Sequence, residues 1–143
     1  MQAIVTCPVF PTEDEDRVKE AVLFLFPDVK QFNRTETAHD SVNLQFLLDS
    51  SAKLGTLRTA IHDTRIIDAV RVRLEQNRVD CTTSIALDKQ AASSHKLRII
   101  DEADGAPPLG CIKADLQFDD EQEMEQTLHW IVPPTRDGRV VHD

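Results

Sequence analysis

Cys111-Ile112-Lys113-Ala114-Asp115-Leu116-Gln117-Phe118 is the stretch on which the fold turns. Ile112, Ala114, Leu116 and Phe118 alternate with Lys113, Asp115 and Gln117, the period-two pattern of a strand with one buried and one wet face. Asp119 or Asp120 then caps a helix that runs through His129 and turns Met124 and Leu128 inward. Pro133-Pro134 ends that element, and Asp137-Gly138 marks a turn in the tail.

The same patterns recur upstream. Within residues 41–48, Val42, Leu44 and Phe46 alternate with Asn43 and Gln45. Cys81, Thr83, Ile85 and Leu87 alternate with Thr82, Ser84 and Ala86. Residues 2–10 put Ala3, Val5, Cys7 and Val9 on one face and Ile4, Thr6, Pro8 and Phe10 on the other. Pro8 cannot donate to a ladder, so it points to an edge strand or a strand end. Residues 29–34 and Lys96–Ile100 read as further strands, and Asp88 to Ala92 as a short turn or helical piece. Asp104-Gly105 and Pro107-Pro108 mark a loop.

Three more helices are expected. Thr12 and Glu15 form a capping box ahead of Val18, Ala21, Val22 and Leu25, and Pro27 stops the run. Ser50 or Ser51 caps a helix carrying Leu54, Leu57 and Ile61. A break near Asp63-Thr64 leads to a helix over Arg65–Gln76, burying Ile66, Ala69, Val70 and Leu74, with Arg71 and Glu75 paired on its surface. Strands and helices in irregular order predict one α+β domain over residues 1–143, with helices packed on a largely antiparallel sheet. Its core is expected to contain Val18, Val22, Leu25, Ile66, Val70, Leu74, Ile85, Ile112, Leu116 and Phe118.

At 143 residues the chain can bury a core without disulfides or a structural metal. Asp and Glu total 25 against 16 Lys and Arg, for a formal net charge of −9. Asp dominates the acids and Lys is scarce, a balance that suits either concentrated salt or an ordinary acidic cytosolic protein. No apolar run is long enough to span a bilayer, and residues 1–5 lack a signal peptide's basic start, so a cytoplasmic protein is expected. Cys7, Cys81 and Cys111 are widely spaced and read as free thiols rather than disulfide or zinc ligands.

Most catalytic motifs are absent. Gly55, Gly105, Gly110 and Gly138 are the only glycines, so neither a dinucleotide fingerprint nor a Walker loop is present. A dyad of Cys81 or Cys111 with His62 or His95 has no supporting sequence geometry. The acidic runs at Glu13–Asp16 and at Asp119–Glu125 read as helix starts rather than metal sites. No catalytic residue, cofactor or metal site is assigned. The basic concentrations are Arg58, Arg65, Arg71, Arg73 and Arg78, then Lys89, Lys96 and Arg98. Of these, Arg58, Arg65, Arg71, Arg73, Lys89, Lys96 and Arg98 are the candidate phosphate contacts for RNA. No aromatic residue lies between Phe46 and Phe118, so no stacking surface is evident beside them.

Several segments, taken in order, carry a family resemblance. They are Pro11-Thr12-Glu13-Asp14 leading to Leu25-Phe26-Pro27-Asp28; Arg65-Ile66-Ile67-Asp68-Ala69; Leu87-Asp88-Lys89-Gln90-Ala91-Ala92; Pro108-Leu109-Gly110; and Trp130-Ile131-Val132-Pro133-Pro134-Thr135-Arg136-Asp137-Gly138. The chain resembles the archaeal uncharacterised protein family number 201 of the UPF series. The resemblance implies an α+β fold like that of the ribosomal protein that binds 5S ribosomal RNA, and a homodimer. It brings no established activity. Two departures fall at Cys111, where proline is expected, and at Ser93-Ser94-His95, where apolar residues are expected. The functional expectation is a non-enzymatic cytoplasmic interaction module, with RNA binding through a basic helix and strand face as the alternative.

Overall fold

The period-two segments pair edge to edge. The computed structural model describes residues 1–100, 110–137 and 139–141. In it, β1 (Gln2–Val9), β2 (Asn33–Glu36), β3 (Val42–Leu48), β4 (Thr82–Asp88) and β5 (Cys111–Gln117) form an antiparallel sheet in the order β2-β3-β1-β5-β4. Its register aligns the apolar positions into rows. Val5 lies opposite Phe46 and Ala114, and Ala114 opposite Ile85. Ala3 aligns in the same way with Leu48 and Leu116, and Leu116 with Thr83. All these residues are buried.

β1 sits in the middle of the sheet, not at an edge. Pro8 marks instead the end of one ladder. Pairing with β5 stops at Thr6, whereas pairing with β3 continues to Val9. The chain passes close by at Gly110, where a Cβ would lie 2.6 Å from Pro8 Cγ and where φ is +76°. Both facts require glycine there.

The helices α1 (Glu15–Leu25), α2 (Gly55–Thr64), α3 (Ile67–Gln76), α4 (Lys89–Ser93) and α5 (Glu121–Ile131) supply the other half of the core. Val18, Ala21, Val22 and Leu25 of α1, Leu57 and Ile61 of α2, Val70 and Leu74 of α3, and Met124 and Leu128 of α5 join the buried sheet residues in one cluster. Phe26 is fully buried edge-on to Phe46, with ring centroids 5.8 Å apart. The opposite sheet face is open and mostly polar, with Thr6, Asn43, Gln45, Lys113 and Gln117 around Ile4 and Leu47.

Several local expectations are corrected. Asp14, not Thr12, caps α1, accepting from the Asp16 amide at 2.9 Å. The helical run over residues 65–76 begins two residues late, because Arg65 adopts φ 60° and ends α2. The helix phase shifts accordingly: Ile67 is buried, Ile66 is half-buried and Ala69 is exposed. Arg71 pairs with Asp68 and not Glu75, which lies 3.8 Å from Arg78. The strand expected over residues 29–34 is β2, displaced toward Glu36. Lys96–Ile100 is no strand; it makes one bridge, Ile99 opposite Leu87. Of the two caps expected for α5, Asp120 takes the position, accepting from the Glu123 amide at 2.7 Å. The tail closes as a hairpin of β6 (Thr135–Arg136) and β7 (Arg139–Val140). The loop expected at Asp104-Gly105 and Pro107-Pro108 lies outside the described residues, as does Gly138.

Candidate nucleic-acid interface

The candidate cations divide into those that hold the fold together and those that face solvent. Lys89 belongs to the first group. It is only 2% exposed, and its Nζ donates to Glu13 Oε1 at 2.8 Å and to the Pro8 carbonyl at 2.7 Å. The ammonium also lies 5.3 Å from the Phe10 ring centroid. A phosphate cannot reach it without dismantling that cage, so Lys89 is removed from the candidate surface.

Arg71 is likewise occupied. Its Nε donates to the Val132 carbonyl at 3.3 Å, and its terminal nitrogens donate to Asp68, the Pro133 carbonyl and Thr135 Oγ1. Arg58 Nε donates to the Trp130 carbonyl at 2.7 Å, and His62 Nε2 to the Ile131 carbonyl at 2.9 Å. Three side chains of α2 and α3 thus satisfy successive carbonyls where α5 ends. Those carbonyls have no partners within the helix, and they carry the negative end of its dipole. The basic concentration is therefore partly a clasp on the C-terminal segment. Arg65 is exposed, Arg73 is half-buried, and Arg98 is exposed 3.9 Å from Asp88.

A groove of about 930 Å³ gathers two of them with aromatic rings. One wall is the outer side of α2, with Thr56, Arg58, Thr59 and Asp63. The other is Phe24, Asp28 and the His95-Lys96-Leu97 segment, and Trp130 contributes from α5. The volume lies in the range of small-molecule and cofactor sites. Phe24 and His95 stack with centroids 5.2 Å apart and planes 18° from parallel. The Arg58 guanidinium sits 5.2 Å from the Trp130 ring centroid, and Trp130 stays 36% exposed. Among the described residues, neither Arg58 nor Lys96 has a carboxylate within 4.0 Å.

The backbone explains how His95 reaches Phe24. After α4, the Lys96 amide donates to the Ala91 carbonyl and the His95 amide to that of Ala92. This double bond pattern requires a left-handed residue, usually glycine. His95 occupies it at φ 56°. The turn presents His95 and Lys96 to the groove and leaves Leu97 buried beneath. An aromatic surface was missed from the sequence because Phe24, His95 and Trp130 are far apart in the chain. The one local signal was His95 at a helix end where glycine is favoured.

No disulfide joins Cys7, Cys81 or Cys111. Burial pushes the Cys7 thiol up to about 12, against the opposing pull of Lys89. Of the histidines considered as bases, His62 bonds the Ile131 carbonyl through Nε2 and the His95 ring stacks on Phe24. Among the described residues, no group of three or more His, Cys, Asp and Glu could hold a metal ion. No described helix is long and apolar enough to cross a membrane.

Comparison with known proteins places this architecture. A UPF0201 protein of Methanopyrus kandleri is 30% identical over 99% of this chain and 91% of the relative. A family model described as RNA binding matches residues 2–118. The chain belongs to the UPF0201 family. A UPF0201 protein of Thermococcus kodakarensis is 31% identical over 91% of this chain and 88% of its own length. The crystal structure of a UPF0201 protein from Methanococcus jannaschii superposes with a TM-score of 0.86. It covers 99% of this chain and 100% of its own, at 24% identity, which bears on the fold alone. The UPF0201 relatives bear no enzymatic name. The matched residues hold the whole sheet and α1 to α4, whereas Trp130 and the clasped tail lie beyond them.

Proposed function

We propose that this UPF0201 chain binds single-stranded RNA in the groove between α2 and the His95–Leu97 segment. The observation that carries the reading is the convergence there of the Phe24–His95 stack, the Arg58–Trp130 pair and Lys96. Single strands are held by aromatic faces that stack on bases and by cations that follow the phosphates. The family model's description agrees with it. The aromatic rings lining the groove favour RNA over a protein-interaction module. The net charge of −9 opposes the approach of any polyanion, so the affinity rests on the local cations and on stacking.

Trp130 is the only tryptophan, so intrinsic fluorescence reports directly from the groove. Titration with a single-stranded RNA of about ten nucleotides should quench it. With Arg58 and Lys96 each neutralising one phosphate, log K should fall with log salt at a slope of roughly −1.4. Lys96→Ala should flatten that slope by about half. Unchanged fluorescence and no binding by the folded protein at low salt, with folding checked by circular dichroism, would overturn the reading.

The homodimer implied by the family resemblance has support of a different kind. Leu47 is 53% exposed opposite Ile4 on the open sheet face, an apolar centre with a polar surround. A second copy of this face would cover it in an isologous contact. Sedimentation should then show a dimer that Leu47→Asp converts to monomer; a wild-type monomer at all concentrations would exclude it.

A further inference from the structure

The groove contains two carboxylates that stacking and phosphate contact do not use. Asp28 follows Phe24 at the end of α1, and Asp63 stands on α2 one turn after Thr59. Both are exposed, and among the described residues neither forms an ion pair. They therefore offer acceptor oxygens to whatever occupies the groove. A carboxylate can only accept, and it carries two oxygens that match a pair of adjacent donors. Among unpaired bases, guanine alone presents two adjacent donors on its Watson–Crick edge, N1–H and the N2 amino group. Adenine places the N1 lone pair beside its amino group, and cytosine does the same with N3. Uracil flanks its one N–H with two carbonyl oxygens. Each of these sets an acceptor against one carboxylate oxygen.

Resting on the RNA reading above, we infer that the groove is selective for guanine, with Asp28 and Asp63 accepting from the base edge while Arg58 and Lys96 neutralise phosphate. The repulsion between carboxylates and the RNA backbone weakens binding of every base alike. The preference therefore appears as discrimination rather than as tight binding.

The test uses the full-length protein and uridine-rich RNA hexamers whose two central positions are guanosine, inosine, adenosine or cytidine, read by Trp130 fluorescence. Inosine keeps N1–H and lacks the N2 amino group. The guanosine hexamer should bind on the order of tenfold more tightly than the adenosine one, with inosine between. Asp28→Asn and Asp63→Asn keep the side-chain size and remove the acceptor-only character. In the double variant the guanosine preference should collapse to within about twofold to threefold, while adenosine binding persists or strengthens because repulsion falls. Equal wild-type affinities for guanosine and adenosine would overturn the guanine inference and leave the RNA reading standing. So would a preference that survives in the double variant. Binding of none of the hexamers would overturn both.

Discussion

Lys89 shows how one residue type can carry opposite meanings. In the sequence it stands in a basic cluster beside Lys96 and Arg98, but in the fold it is sealed against Glu13, the Pro8 carbonyl and the Phe10 ring. Removing one member of a buried ion pair leaves an uncompensated charge, so Lys89→Ala should destabilise the protein by roughly 3–5 kcal/mol. Urea denaturation at unchanged slope measures this, and a loss below about 1 kcal/mol would show the pair to be solvated. His95 carries a different tension. Its left-handed backbone costs roughly 1–2 kcal/mol, whereas glycine costs about 0.5–1 kcal/mol in chain entropy. His95→Gly should therefore leave the melting temperature unchanged or raise it slightly, while removing the ring that stacks on Phe24 and weakening RNA binding. A variant that melts lower and binds RNA normally would contradict both halves. Cys7 follows from burial alone: with its thiol held near 12, it should resist alkylation at pH 8 in the folded protein.

Elements were legible where a local period is enough to define them. The alternations around Val42–Leu48 and Cys111–Gln117, and the helical stripe of Val18, Ala21, Val22 and Leu25, place themselves correctly because each depends only on neighbours in the chain. Caps and boundaries were less legible, since several acidic and hydroxyl residues compete for one position. Asp14 takes the role expected of Thr12, so Asp14→Ala should cost roughly 0.5–2 kcal/mol and Thr12→Ala close to nothing. Equal losses from the two in thermal melts would return the cap to Thr12. The clasp on the tail gives an element-scale pH dependence. The Thr135 hydroxyl and the Arg71 guanidinium hold the Asp68 carboxyl below its usual value of 3.8. A depressed folded value means that the contact is fully present above 3.8 and is lost as pH falls through the lower value. An NMR titration of the Asp68 carboxyl carbon should show a midpoint below 3.8, and Thr135→Val should raise it. A midpoint at or above the ordinary value would mean that the clasp is not formed in solution.

At the scale of the whole molecule, the layers were legible and the site was not. The sheet's burial pattern implies helices on one side, and the row of Val5, Phe46, Ala114 and Ile85 bears that out. The groove, by contrast, exists only once α1, α2, α5 and the turn after α4 are packed together. It draws Phe24, Arg58, His95 and Trp130 from segments that no periodicity connects. Meanwhile packing withdraws Lys89 and commits much of Arg71 to the tail, two of the candidate phosphate contacts. The most direct measurement is ultraviolet crosslinking of the full chain to a single-stranded RNA containing 4-thiouridine, with the joined peptides mapped by mass spectrometry. Crosslinks should concentrate on peptides holding Phe24, His95 and Trp130, and fall away in Lys96→Ala at moderate salt. Crosslinks confined to Thr6, Gln45 and Lys113 on the open sheet face would contradict the groove as the RNA site.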